Sequence, residues 1–186
     1  MVGAVLCFIP ACNGNIPDAE IGQAEAAISA ALTAGADVYT RDELSAARSA
    51  LQNARLAIDA RDYRLALNDA LEARDSATAA AKTAAERKAD ARAGAERALR
   101  DANLALTSAR SALKTAETAR RPARATSRAR QAIADTEHRV QEARTAFASG
   151  DYPNVLRVLK EPTALLRDSQ DALDTAAAAK SKQRRR

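Results

Sequence analysis

The strongest chemical features of this sequence are two groups of cationic side chains. Arg120, Arg121, Arg124, Arg128 and Arg130 gather in one short stretch, and Lys180, Lys182, Arg184, Arg185 and Arg186 form the last residues of the chain. Either group could contact phosphate or carboxylate groups, with release of counterions. No aromatic residue lies among them to stack on a base, and no finger or recognition-helix motif surrounds them, which argues against reading of nucleic-acid sequence. The plainer alternative is a solubilising tail, together with helix-end charges that suit the negative pole of a helix C-terminus. The formal charge of +5 is uneven: Asp18 to Ala119 carries 14 Lys+Arg against 16 Asp+Glu, whereas Arg120 to Arg186 carries 15 against 8.

Catalysis requires groups that converge, and the sequence offers none. His138 is the only histidine, within Thr136-Glu137-His138-Arg139, and reads as an exposed helix residue. No Cys–His, Ser–His–Asp or histidine–metal spacing occurs, and no glycine-rich loop that could cradle a phosphate. Glu86 and Asp90 stand one helical turn apart, but Arg87 and Lys88 interleave them, the pattern of a solvated helix face. The expectation is a non-enzyme with no cofactor and no metal.

The elements that carry these residues are helices. Ala66, Ala70, Ala73, Ala77, Ala80 and Ala84 recur at alternating four- and three-residue steps, and Ala91, Ala95, Ala98, Ala102, Ala105, Ala109, Ala112 and Ala116 repeat the pattern. This is the seam of a helix lying along other helices, with a four-residue stutter at Lys88. Alanine is the best helix former, yet its methyl buries little area, so partner helices must approach closely.

A first helix is expected from Asp18, as N-cap, to Ala34, stopped by Gly35. Thr40 and Glu43 form a capping-box pattern for the second, whose seam is Leu44, Ala47, Leu51, Ala54 and Ile58. A turn at Asp59 to Asp62 launches the ladder helix, which Arg120-Arg121-Pro122 ends. A fourth helix carries Ala129, Ile133, Thr136, Val140, Ala143 and Phe147, and a fifth runs from Tyr152 towards Ala179.

Offsetting the chain by 89 residues aligns the second and fourth seams position by position. It also aligns Asp62-Tyr63 with Asp151-Tyr152, and Ala66, Ala70, Ala77 and Ala84 with Val155, Leu159, Leu166 and Leu173. In both copies Asp should cap the new helix and Tyr pack back on the preceding one. Pro162 replaces Ala73 and should kink or split the fifth helix. The expected fold is all-α and elongated: two antiparallel three-helix bundles, similar in architecture to spectrin-type repeats, sharing one long alanine-rich helix. The alternative is a single compact bundle folded back within the polar stretch 82–92. The corresponding divisions are 1–12, a linker at 13–17, helical units at 18–85 and 86–179, and a basic tail at 180–186, too charged to fold.

Val2 to Ile9 form an apolar run too short to span a bilayer. The following Ile9-Pro10-Ala11-Cys12 resembles the lipobox of bacterial lipoproteins, in which Cys12 would receive lipid; Pro10 stands where a small residue is usual. The same run could instead be an apolar flap packed on the bundle, while two cysteines in such a tail make no disulfide framework. The stretch from Ile21 to about Lys88 resembles an alanine-rich domain of bacterial envelope lipoproteins, domain-of-unknown-function family 4398. The likeness rests on Ala24-x-x-Ala27-Ile28-x-x-Ala31, Ala34-Gly35-Ala36, Tyr39-Thr40-Arg41-Asp42-Glu43-Leu44-x-x-Ala47-Arg48, Leu51-x-x-Ala54, Asp62-Tyr63-x-x-Ala66 and Ala70-x-x-Ala73, with Thr40-Arg41 in place of the usual Ala-Pro. The resemblance implies helical hairpins and an envelope location, and brings no catalytic residues. The expectation that follows is a lipid-anchored, periplasm-facing helical spacer or adaptor, whose partner is an envelope protein or an anionic envelope polymer or lipid surface. The alternative is a soluble, cytoplasmic coiled-coil protein that binds nucleic acid or other acidic partners through its basic C-terminal third.

Overall fold

The computed structural model describes residues 15–184, with side chains through Thr175 except Asp174. The described residues form six helices and no strand: α1 (Asp18–Ala34), α2 (Ala36–Tyr39), α3 (Arg41–Asp59), α4 (Tyr63–Thr118), α5 (Ala123–Ala148) and α6 (Tyr152–Arg184). They sort into two compact units, one ending at Arg87 and one beginning at Lys88. The boundary falls beside the stutter in the ladder.

Helix α4 runs without interruption through 82–92, so the chain makes no turn there. Ala, Glu, Arg and Lys dominate this stretch, and their intrinsic propensity sustains the helix where packing does not. Ala85 to Asp90 are all exposed.

In the first unit the core is built on alanine. Ala66, Ala70, Ala73, Ala77, Ala80 and Ala84 of α4 are each fully buried. The last four pack with Ala24, Ile28 and Ala31 of α1, Ala36 of α2, and Leu44, Ala47, Ala50 and Leu51 of α3. Gly35 ends α1 as expected, with φ of 92°, and its N–H bonds the Ala31 and Leu32 carbonyls. Two expected caps are not formed. Asp18 is already helical and follows Pro17, which supplies no side-chain cap. Thr40 precedes α3, but its buried hydroxyl turns inward, 3.2 Å from the Ala80 carbonyl of α4 and 3.5 Å from that of Ala36. A hydroxyl in a dry interface needs an acceptor for its proton, and the Ala80 carbonyl of the facing helix supplies it. Glu43 instead pairs with Arg87 at 3.5 Å. The short α2 was not anticipated; it turns the chain within one helical turn and buries Ala36.

In the second unit the same seam is less completely buried. Ala95, Ala102, Ala109 and Ala116 are buried, whereas Ala91, Ala98, Ala105 and Ala112 are half-buried. Leu106 joins Ile133, Val140, Val155, Val158, Leu159 and Leu166 in the main core. Larger residues on α5 and α6 fill the core here, so the alanines of α4 no longer close the interface alone. Pro162 is buried, and of the kink or split expected there the split does not occur, α6 being one helix through it. The buried neighbours Val158, Leu159 and Leu166 offset the lost backbone bond with area removed from water. Thr136 mirrors Thr40, its hydroxyl 2.7 Å from the Ala132 carbonyl and 3.4 Å from that of Pro162 on α6. Helix α6 also continues to Arg184, through the first part of the tail expected to be unfolded. The alanine run 176–179 propagates it, and cations at a helix C-terminus suit its dipole.

The repeat holds at the level of single hydrogen bonds. The N–H groups of Ala60, Arg61 and Asp62 bond the carbonyls of Leu56, Ile58 and Ala57, and those of Ser149, Gly150 and Asp151 bond the carbonyls of Thr145, Phe147 and Ala146, each 89 residues on. Asp62 Oδ1 then accepts from the Leu65 N–H at 3.0 Å, and Asp151 Oδ1 from the Asn154 N–H at 3.3 Å. Tyr152 packs back on Phe147 of the preceding helix, ring centroids 5.3 Å apart. The turn needs one left-handed residue, filled by Arg61 at φ 59° in the first copy and Gly150 at φ 80° in the second.

Two tests follow from this geometry. A side chain at positive φ costs about 1 kcal/mol relative to glycine, so Arg61→Gly should raise the unfolding free energy of the first unit by up to that amount. Gly150→Ala should lower that of the second unit similarly, both read by chemical denaturation. Along the ladder, Ala102→Leu should destabilise by about 1–3 kcal/mol through overpacking. Ala105→Leu, at a half-buried position, should cost clearly less; equal costs would mean the seam is not graded.

Candidate anion-contact surface

The arginine cluster sits at the corner between α4 and α5, and the structure assigns its members different tasks. Arg120 is the left-handed residue of the turn, with φ of 49°. Its N–H and that of Arg121 bond the carbonyls of Glu117 and Ala116, the same pairing found at the Arg61 and Gly150 turns. Arg120 was expected as a contact residue; its backbone is a structural part of the corner.

Arg130 reaches back from α5 to α4, with Nε at 3.0 Å and Nη2 at 2.7 Å from Glu117 Oε1. That carboxylate neutralises part of the cluster. Arg110 makes the matching link in the other direction, 2.7 Å from Glu137. Both pairs are solvent-exposed, so they fix register more than they add stability. Arg124 and Arg128 are exposed on α5. Pro122 precedes this helix, which has no side-chain cap and no acidic residue in its first turn. From Thr118 to Ala134 the sequence holds five arginines and no acid, and the unbonded N–H groups of a helix start add to that positive field. Arg121 is half-buried, and its Nη1 is shut off from solvent with no hydrogen-bond partner.

The second expected group falls on the last turns of α6, which follow Leu173, itself packed with Ala116 and Ala129 near the corner. Lys180, Lys182 and Arg184 belong to the helix, but their side chains lie outside the described residues, as do Arg185 and Arg186. Cys12 and the whole segment 1–14 also lie outside them. The two basic groups are therefore not assembled into one described site.

His138 is exposed, as expected, and borders a cleft of about 470 Å³ between α5 and α6. Asp135, Arg139, Arg157 and Glu161 share that cleft, a mixture of signs with no net direction. Among the described residues no group of His, Cys, Asp and Glu is placed to hold a metal ion. No described helix is long and apolar enough to cross a membrane. One feature was missed from the sequence: a groove of about 620 Å³ beside α4, bordered by Leu104, Ala112, Arg121 and Leu173. Its only signal in the sequence is the run of serines and threonines at 107, 108, 111 and 115.

Compared with protein-family models, curated proteins and solved structures, the chain finds no match in any of the three.

Glu117→Gln tests the partition of charge at the corner. Removing the carboxylate frees Arg130, so binding to anionic polymer or vesicles should strengthen and its log–log salt slope steepen by on the order of one. Folding stability should fall by less than about 1 kcal/mol, the worth of an exposed pair.

Proposed function

We propose that this chain is a bacterial envelope lipoprotein, anchored through Cys12 and facing the periplasm, that acts as a helical spacer or adaptor. The observation that carries the spacer reading is α4, one helix of 56 residues to which both units contribute a core. At 1.5 Å per residue it measures on the order of 80 Å. A helix of that length built on an alanine seam is suited to separating or bridging partners, and no catalytic constellation was read from the sequence. The anchor reading rests on the lipobox-like Ile9-Pro10-Ala11-Cys12 and on the likeness of residues 21–88 to alanine-rich domains of envelope lipoproteins. The finer architecture belongs to the same proposal: two spectrin-like three-helix bundles sharing α4, in an elongated molecule. The adaptor would meet another envelope component, a protein or an anionic polymer or lipid surface, through Arg121, Arg124 and Arg128 and the basic end of α6.

The acid-free stretch from Thr118 to Ala134 also suits a second reading, a soluble coiled-coil protein that binds nucleic acid or acidic partners. Processing separates the two. Intact-mass measurement of protein purified from its native host should give a chain that starts at Cys12 with acyl groups attached; a chain that retains Met1 without lipid overturns the anchor. Small-angle scattering checks the shape. A compact domain of this length has a radius of gyration of roughly 16 Å, and the elongated arrangement should exceed it clearly.

A further inference from the structure

We propose that the end of the first unit formed by the start of α1 and the α3–α4 turn seats on the surface of a zwitterionic lipid bilayer through Leu56 and Leu65. The inference rests on the reading of Cys12 as an acylated anchor, and names the protein surface which that anchor brings to lipid. Leu56, in the last turn of α3, is 57% exposed, and Leu65, in the first turn of α4, is 48% exposed. Each stands one residue before a buried seam alanine, Ala57 and Ala66. In antiparallel helices that position places both on one flank of the hairpin. The internal repeat shows that the turn does not require leucine at either place. Offset by 89 residues, Leu56 falls on Thr145 and Leu65 on Asn154. The second turn makes the same backbone bonds with those polar residues in place. Two leucines held in water, where the related turn has none, point to a partner that takes them out of it.

The partner follows from where the chain leaves this end. Arg55 of α3 pairs with Glu25 of α1 at 2.7 Å, and Arg74 of α4 bonds Gln23 at 3.4 Å, so α1 begins beside the α3–α4 turn. Pro17 is buried there, and Ile16 is exposed just before it. Cys12 stands four residues before Ile16, a reach of at most about 14 Å. Lipid held by that cysteine brings a bilayer interface to this end of the unit. Ile16, Leu56 and Leu65 alone offer too little apolar area to hold a free protein on a bilayer. The anchor makes the contact intramolecular, so a weak apolar contact suffices. Charge selects the kind of lipid. Arg55, Arg61 and Arg64 stand at this end with Asp18, Glu20, Asp59 and Asp62. Such a mixture has no positive field to draw anionic headgroups, unlike the arginine corner of the second unit, and suits a zwitterionic surface.

The test uses the chain from Cys12 onward, the mature protein of the anchored reading, coupled through the Cys12 thiol to a maleimide lipid in phosphatidylcholine vesicles. The sequence holds no tryptophan, so single substitutions report position. Emission of Leu56→Trp and of Leu65→Trp should shift to the blue on coupling, and phosphatidylcholine brominated high on its acyl chains should quench it. Val38→Trp is the control: Val38 is 55% exposed on α2, at the other end of α3. Its emission should not change. Leu56→Asp, placed in the Leu65→Trp protein, should abolish the quenching, because a carboxylate resists transfer out of water. All these positions are exposed, and circular dichroism establishes that each variant is folded. The proposal is overturned if Leu56→Trp and Leu65→Trp are quenched no more than Val38→Trp, or if Leu56→Asp leaves the quenching in place. Quenching that appears only with added phosphatidylglycerol and is lost in high salt also overturns it, since that is electrostatic adsorption. The tether is chemical, so these outcomes do not depend on whether the host acylates Cys12, which is read by mass.

Discussion

The close approach of helices across alanine is the constraint on which the first unit depends. A seam of methyl groups removes little apolar area per residue, so stability must come from proximity: many weak contacts at short range and no voids. Proximity in turn makes the rest of the structure exacting. It brings the Ala80 carbonyl within 3.2 Å of the Thr40 hydroxyl. It also makes register important, and the Arg55–Glu25 and Arg87–Glu43 pairs cross between helices where a one-turn slip would break them.

The second unit reaches a related fold by another route. Its helices meet through Ile133, Val140, Val155, Leu159 and Leu166, so burial per residue is larger and the demand for closeness smaller. That margin is what tolerates Pro162 at a position where the first unit has Ala73. The turns were not relaxed in the same way. Both copies keep the three backbone bonds, the aspartate and the tyrosine, because a reversal of this kind admits few alternatives. The difference between the copies is thus confined to side-chain volume, and the backbone plan is common.

Much of this was legible in the residues. The boundaries of α1, α3 and α4, the stop at Gly35, the corner at Pro122 and the 89-residue correspondence all follow from periodicity and from Gly, Pro and Asp at turns. What escaped was decided by tertiary context. Thr40 and Glu43 match a local capping pattern, but a neighbouring carbonyl and Arg87 outcompete the local bonds. Nothing in Arg61 or Arg120 marks a left-handed residue; only the alignment of Arg61 with Gly150 hints at it. The candidate site was half legible: five arginines announce a positive corner, yet Glu117 neutralising Arg130 and the enclosure of Arg121 depend on how α4, α5 and α6 meet. The groove was invisible because serine and threonine at helical spacing normally mean a wet face.

The exposed stretch from Ala85 to Asp90 carries a consequence for how the molecule comes apart. Its hydrogen bonds have no side-chain cover, and Glu86 and Asp90, four residues apart, repel rather than support the turn between them. Amides there should exchange with solvent far faster than those at Ala77 or Ala102, within the cores on either side. Each core can then open without taking the other with it. The chain should therefore unfold as two cooperative foldons joined by one continuous helix, with no single melting temperature.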